Sequence, residues 1–260
     1  MSVVPSSSER VHLADGRVLE ASMSGAPEGP AVVFQHGSPG SSFDHPGFGA
    51  AAAARGLRVI APSRSGYAGS TRLEGRAVAA AASDVAELLD HLGIGRFATL
   101  GWSGGGPHAL GCAALLPDRC AAALSVCGPA PYLPDEFDWT EGMGAENVEE
   151  FSLSLEGGPA YDEMLETLRT ELLSIDPASV RSARDLFGGL VSDIDDAAVA
   201  PVDAAFMLAN VCRGLDMGVG GWRDDDQAFL RPWGFDVTDI AVPVGVWFGD
   251  QDLMVPARHG

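Results

Sequence analysis

The feature that most constrains the fold is an alternation of short apolar runs with Ala-rich segments of helical length. Residues 10–24 alternate polar and apolar side chains around Asp15-Gly16, a pattern that predicts a hairpin. The apolar runs that follow predict buried strands at 31–35, 57–61, 97–102 and 121–126, and the segments between them predict helices at 45–54, 77–92 and 107–116. Strands that alternate with helices in this way predict a mostly parallel α/β sheet with flanking helices.

The alternation stops near residue 130, and the pattern is helical up to about residue 240 before a last strand at 242–248. We therefore expect an α/β core formed by 1–129 and 237–260, with an inserted all-helical cap at 130–236. Residues 131–240 hold 24 of the 36 acidic residues but only 6 of the 16 basic ones. This acidity favours a solvated outer face. Alternatively, it forms an entrance that repels anionic substrates and admits cationic ones.

Composition excludes several functional classes. A formal charge of −20 is the opposite of what nucleic acids or anionic membranes attract. All 16 basic residues are Arg, which excludes a Schiff-base lysine, a pyridoxal-phosphate enzyme and a P-loop, and which suggests a GC-rich bacterial genome. The sequence contains no Cys-x-x-Cys pair, so we do not expect a zinc site. We expect buried free thiols at Cys112, Cys120, Cys127 and Cys212. With neither a signal-peptide pattern nor a membrane-length apolar run, we expect a cytoplasmic protein with a small-molecule substrate and no cofactor.

A nucleophilic serine is predicted at Gly101-Trp102-Ser103-Gly104-Gly105. A strand pattern precedes Ser103 and a helix pattern follows it, which is the setting of a nucleophile elbow. The elbow holds its serine in a strained conformation, so its neighbours must lack side chains that would clash, and Gly101 and Gly105 meet that need.

A second motif, His36-Gly37-Ser38-Pro39-Gly40, follows the strand at 31–35 directly. A serine nucleophile needs donors for the oxyanion of its tetrahedral intermediate. We assign one donor to the backbone N–H of Gly104 and the other to the backbone N–H of Ser38, with Gly37 allowing close approach. The alternative interpretation is that the motif is an ordinary turn, since Pro39-Gly40 is also a turn dipeptide.

A carboxylate that could orient a catalytic imidazole follows the strand at 242–248. Two residues compete for this role, and we prefer Asp252 to Asp250.

Together these motifs resemble the α/β-hydrolase superfamily, in its capped serine-hydrolase branch. The loop from His36 to Gly40 resembles the family's oxyanion loop, in which His36 supports the backbone, and residues 64–70 resemble the loop after the next strand. The second aspartate of the acid loop, here Asp252, is the family's usual triad member. Dehalogenases and epoxide hydrolases of this fold use an aspartate at the elbow, so Ser103 argues against both.

The resemblance implies a catalytic histidine roughly 20–30 residues beyond Asp252, but the chain ends at Gly260. We therefore expect that the C-terminal part with this histidine is absent and that the 260-residue form is not a competent hydrolase. The strand at 242–248 would then expose an apolar edge, covered by the absent segment, a second copy or a partner. His259 is the alternative base. His108 is expected to pack against the sheet, and His12, His45 and His91 show no partner.

The function implied is hydrolysis of a small ester, thioester or amide with an apolar group, through an acyl-enzyme on Ser103, as in carboxylesterases. Some aromatic side chains of the helical region would line an apolar pocket: Trp139, Phe151, Tyr161, Phe187, Phe206, Trp222 and Phe229. Three alternatives stay open: an aminopeptidase of the prolyl iminopeptidase type, a C–C bond hydrolase acting on a diketone acid, and a non-catalytic ligand-binding protein.

Overall fold

The computed structural model describes residues 7–42 and 45–260. Its single sheet has seven strands, in the order β1-β2-β4-β3-β5-β6-β7. The strands are β1 (Ser7–His12), β2 (Val18–Gly25), β3 (Ala31–Gln35), β4 (Arg58–Pro62), β5 (Phe97–Trp102), β6 (Cys120–Val126) and β7 (Val244–Trp247). The strand pairs from β4 through β7 are parallel, whereas β2 pairs antiparallel with both β1 and β4. The expected mostly parallel α/β sheet is confirmed.

Three helices connect the parallel strands, and six lie in the chain between β6 and β7. The connecting helices are α1 (Pro46–Ala54), α2 (Ala80–His91) and α3 (Gly106–Leu115). The segment between β6 and β7, here called the insert, holds α4 (Ala145–Glu156), α5 (Pro159–Ser174), α6 (Arg184–Phe187), α7 (Asp193–Ala198), α8 (Pro201–Gly214) and α9 (Gly220–Phe229). In the described ranges, no helix is both long and apolar enough to cross a membrane.

The main core forms where α2 and α3 cover the sheet. Its fully buried members include Val33, Ile60, Leu88, Leu89 and Cys112. Strands β3 and β4 are buried or half-buried along their whole length. Two aromatic clusters lie outside this core: one joins Trp139, Phe151, Phe229 and Trp233, and the other joins Tyr67, Tyr161 and Trp222.

The register aligns the carboxyl ends of four parallel strands. Gln35 of β3 pairs with Gly101 of β5, and Trp102 pairs with Val126 of β6, which pairs with Trp247 of β7. The loops that follow these strands therefore meet at one edge of the sheet, where ligands bind in open α/β sheets. β7 is the edge strand on one side of the sheet, and its residues Val246 and Trp247 are 51% and 62% exposed.

Candidate active site

Ser103 occupies the turn from β5 into α3 with a backbone φ of +52°, a conformation that is strained for a residue with a side chain. The turn is closed so tightly that a Cβ on Gly101 would overlap the carbonyl oxygen of Gly105. A Cβ on Gly105 would in turn overlap the carbonyl oxygen of Gln35. Both glycines are therefore required by backbone packing, and the strained turn lifts Ser103 out of the sheet, where it is partly exposed.

The loop from His36 to Gly40 lies against this turn. A Cβ on Gly37 would lie 3.5 Å from the Cβ of Ser103, and a Cβ on Gly104 would lie 2.9 Å from the Cβ of Ser38. The loop thus brings Ser38, Gly104 and Ser103 into one place. His36 is buried, its Nε2 accepts the backbone N–H of Arg64 at 3.0 Å, and its Nδ1 donates to the Gly37 carbonyl at 2.7 Å.

Asp252 lies in the loop after β7, partly buried. Its Oδ1 accepts the backbone N–H groups of Met254 and Val255 at 2.8 and 2.9 Å, which fixes the carboxylate. Its Oδ2 makes no hydrogen bond within the described residues. Burial raises the pKa of Asp252 above its ordinary value. Asp250 is exposed by comparison.

Cys127 follows β6 and lies between the serine and the acid. Its backbone has a φ of +43°, and its N–H donates to the Trp247 carbonyl at 2.7 Å. The pKa of its thiol is raised to about 11, mainly by burial and also by the Asp252 carboxylate, while the backbone N–H of Ser103 acts in the opposite direction. Ser103 and Asp252 thus both act on the same side chain. Contrary to expectation, Cys127 and Cys212 are only partly buried, whereas Cys112 and Cys120 are buried.

Ser103 Oγ has no histidine partner within residues 7–42 and 45–260. His45 and His91, which showed no partner in the sequence, contact Asp203 and Glu9 at 2.9 and 3.0 Å. His259 packs edge-on against Trp139 and Phe137, and its Nδ1 accepts the backbone N–H of Ala130. Burial lowers the pKa of His259 to about 4.

His108 does not simply pack against the sheet as expected. Its Nε2 lies 3.1 Å from Oδ1 of Asp225, a fully buried carboxylate on α9. Burial and the nearby Arg64 guanidinium lower the pKa of His108 to about 4, so the ring is neutral at pH 7. Its Nδ1 lies 3.3 Å from the Val78 carbonyl oxygen, so both ring nitrogens face acceptors.

The sequence analysis missed Asp225, which four other side chains also contact. The Ser38 hydroxyl donates to its Oδ2 at 2.5 Å, as do Tyr67 Oη at 2.8 Å and Arg64 Nη2 at 2.7 Å. Arg76 Nη2 lies 2.7 Å from its Oδ1. A buried ionic cluster on the insert therefore reaches the loop next to Ser103.

The two neighbours of Asp225 are buried as well, so this part of the insert is not the solvated acidic face that composition suggested. Asp224 accepts two hydrogen bonds from Arg72, at 2.8 and 3.0 Å. Asp226 accepts from Tyr161 Oη at 2.5 Å and is hydrogen-bonded to the carboxyl of Glu150. In the described ranges, no cluster of His, Cys, Asp and Glu could hold a metal ion.

Of the aromatic residues expected to line a pocket, Phe229 packs beside Gly104, the residue after the serine. A Cβ on Gly104 would lie 3.1 Å from its ring. Trp139 and Phe151 belong to the same cluster, with ring centroids 4.8 Å apart. Tyr161 and Trp222 instead pack in the cluster around Tyr67.

Comparison with known proteins identifies the family to which the chain belongs. A family model described as alpha/beta hydrolase fold matches residues 30–260. The chain is 32% identical over 105 residues to an uncharacterized hydrolase, YcgS, of Bacillus subtilis, and 32% identical over 117 residues to epoxide hydrolase A of Mycobacterium tuberculosis. These matches cover 40% and 44% of this chain, and they span about a third of each relative, 36% and 35%.

Among solved structures, the chain is similar to an alpha/beta hydrolase fold protein from Nakamurella multipartita. The two share 27% sequence identity with a TM-score of 0.66, over 97% of this chain and 84% of the other.

Proposed function

The chain belongs to the alpha/beta hydrolase fold family, and on that premise we propose that it is a serine hydrolase that acts through an acyl-enzyme on Ser103. The observation that carries the proposal is the backbone of Ser103, held at a φ of +52° between a strand and a helix, with Ser38 and Gly104 beside it. A strained turn of this kind persists only where the surrounding structure enforces it, and such turns cluster at active sites.

In the proposed reaction, Ser103 Oγ attacks the carbonyl carbon of an ester, thioester or amide. Negative charge develops on the carbonyl oxygen, and the backbone N–H groups of Ser38 and Gly104 would stabilise it. The bond to the alcohol, thiol or amine then breaks, the leaving group takes up the proton given up by the serine, and water releases the acyl group. In a form of the protein that supplies a catalytic histidine, Asp252 would orient the imidazole that carries this proton; no histidine within residues 7–42 and 45–260 is hydrogen-bonded to Ser103.

The residue at the elbow separates this chemistry from epoxide opening. The relative from Mycobacterium tuberculosis is named an epoxide hydrolase, and epoxide hydrolases of the family we recognised in the sequence use an aspartate at the elbow. Ser103 occupies that position here. A serine attack on a carbonyl gives an acyl-enzyme that water can hydrolyse, which favours acyl transfer over epoxide opening.

The insert supports two substrate classes. We propose that residues 130–236 form a cap over the site, and that Phe229 beside Gly104 favours a substrate with an apolar group. The second candidate is an aminopeptidase of the prolyl iminopeptidase type, whose substrates carry a free amine. It is favoured by the 24 acidic residues at 131–240, which attract a cation.

Labelling with a fluorophosphonate probe tests the nucleophile. In a form of the protein that supplies the general base, we expect one adduct, located on Ser103 by peptide mass spectrometry, and no adduct in Ser103→Ala. Ser152→Ala, which alters an exposed serine on α4, is the matched control and should label like the wild type. Labelling that persists in Ser103→Ala would contradict the assignment. Absence of labelling in a form that supplies the base would favour a ligand-binding protein.

A substrate panel then separates the candidate activities. Acyl p-nitrophenyl esters of increasing chain length test the esterase, prolyl and alanyl p-nitroanilides test the aminopeptidase, and styrene oxide tests epoxide opening. In the form that supplies the base, we expect the esters to give the highest kcat/KM, with a preference for apolar acyl groups. Preference for the anilides would make the acidic insert the specificity determinant.

A further inference from the structure

The loop at 36–40, which would supply one oxyanion donor, is hydrogen-bonded to two charged side chains, Arg64 and Asp225. Arg64 Nη2 donates to the Gly37 carbonyl and to the Ser38 hydroxyl, each at 3.0 Å, and Arg64 Nη1 donates to the His36 carbonyl. The Ser38 hydroxyl donates a hydrogen bond to Oδ2 of Asp225 at 2.5 Å. Three consecutive residues of the loop are therefore fixed by Arg64 and Asp225.

Asp225 is ionised in this environment although it is fully buried. Burial alone would raise its pKa, but the guanidinium groups of Arg64 and Arg76 hold that pKa well below its ordinary value. Both guanidinium groups are themselves buried, with 2% and 3% of their side chains exposed. Charge-assisted hydrogen bonds are short and directional. The contacts of Asp225 with Arg76 and with Ser38 therefore hold the Ser38 hydroxyl in one position.

The neighbouring carboxylate shows that this arrangement is specific to Asp225. Asp224 is equally buried on the same helix and pairs with an arginine, Arg72, in two hydrogen bonds. Its other bond is from the backbone N–H of Gly75 at 3.2 Å. Neither partner belongs to the loop at 36–40, so Asp224 joins the insert to the core without contacting the loop beside Ser103.

We propose that Asp225 is a positioning residue for the oxyanion hole, an inference that rests on the proposed serine hydrolase function. Asp225 fixes the Ser38 side chain, and with it the direction of the Ser38 N–H toward the carbonyl oxygen of a substrate bound at Ser103. Oxyanion donors act because they are already oriented before charge develops, and a misplacement of about 1 Å costs about 100-fold in rate. The cap helix α9 would thus set the geometry of a loop that belongs to the core.

The test compares Asp225→Asn with Asp224→Asn in the kinetics of fluorophosphonate labelling. The phosphonyl oxygen also becomes an oxyanion at the transition state, so the saturating rate constant reports the hole and the half-saturating concentration reports probe binding. We expect Asp225→Asn to lower the saturating rate constant about 10- to 100-fold, with the half-saturating concentration within about twofold. Asp224→Asn should leave both within about twofold, although it removes an equally buried carboxylate from its ion pair with Arg72.

Ser38→Ala keeps the inference testable if Asp225→Asn does not fold. It removes the hydroxyl while Arg64 still holds the two neighbouring carbonyls, so a fall of about 3- to 10-fold in the saturating rate constant is expected. An unchanged saturating rate constant in Asp225→Asn would overturn the inference; if that variant is unfolded, an unchanged rate constant in Ser38→Ala would do so. Equal losses in Asp225→Asn and Asp224→Asn would also overturn it. Labelling retained by Ser103→Ala would instead overturn the proposed function, which separates the two failures.

Discussion

Gly101 and Gly105 approach each other so closely that a Cβ on Gly101 would overlap the Gly105 carbonyl oxygen. The obstacle is backbone, which cannot rotate away as a side chain could. The spacing of the two glycines around Ser103 is therefore a steric requirement of the turn.

Gly101→Ala should consequently displace the turn. We expect the rate of Ser103 labelling to fall by about 100-fold, because a shift of about 1 Å at a reacting atom has that effect, and the midpoint of thermal unfolding to fall as well. Gly95→Ala is the control, since a Cβ there meets nothing within 4 Å. Normal labelling by Gly101→Ala would show that the turn can relax and that the packing argument is wrong.

Asp252 has two separable roles that different substitutions distinguish. Asn keeps an oxygen to accept the N–H groups of Met254 and Val255 but removes the charge that would stabilise an imidazolium, so Asp252→Asn should lose ester hydrolysis and keep its stability. Asp252→Ala should in addition lose about 1–2 kcal/mol of unfolding free energy, the usual net value of one or two hydrogen bonds. Asp250→Asn should leave both quantities unchanged, and activity lost there instead would reassign the acid. Urea unfolding and ester hydrolysis measure the two effects.

His259 is expected to stabilise the structure without acting as the base. Its Nδ1 lone pair is occupied by the Ala130 N–H, and its ring is enclosed by Phe137 and Trp139. His259→Ala should therefore lower the unfolding free energy by about 2–4 kcal/mol, the cost of truncating a large buried side chain, while Ser103 labelling stays within twofold of the wild type. Loss of labelling in a fully folded variant would make His259 the base.

The sequence was sufficient to predict those features that depend on local backbone geometry. Ser103, Gly101 and Gly105 follow from one turn, and the loop at 36–40 follows from the strand before it, because parallel strands bring their carboxyl ends to one edge. Element bounds were close: the strand expected at 121–126 is Cys120–Val126, and the helix expected at 45–54 is Pro46–Ala54.

Asp225 could not be found in this way, because its partners lie more than 100 residues away in the chain. An acidic run most often faces solvent, and that rule failed for Asp224-Asp225-Asp226. A usable signal was present: three successive helical positions fan over about 200° of the helix surface, between the aromatic residues Trp222 and Phe229. At least one of the three carboxylates therefore had to face the protein.

Asp226 is expected to make the stability of the protein depend on pH. Burial and the adjacent Glu150 carboxylate hold the pKa of Asp226 well above its ordinary value, so the folded protein keeps a proton there that the unfolded chain loses near pH 4. Wherever the folded state binds the extra proton, unfolding free energy decreases as pH rises, by up to about 1.4 kcal/mol per pH unit, until the pH passes the folded-state pKa. This contribution is therefore most favourable at low pH and is lost toward alkaline pH.

Asp226→Asn should remove this pH dependence. The amide can still accept from Tyr161 and donate to Glu150, but it has no proton to lose. We expect urea unfolding at pH 5 and pH 8 to show the variant gaining stability relative to the wild type as pH rises, and exceeding the wild type at pH 8. Asp224→Asn, measured alongside, should be less stable than the wild type at both pH values, because it breaks the paired hydrogen bonds from Arg72. If Asp226→Asn lost stability at pH 8 as Asp224→Asn does, the carboxyl of Asp226 would have to be ionised and favourably paired in the folded protein.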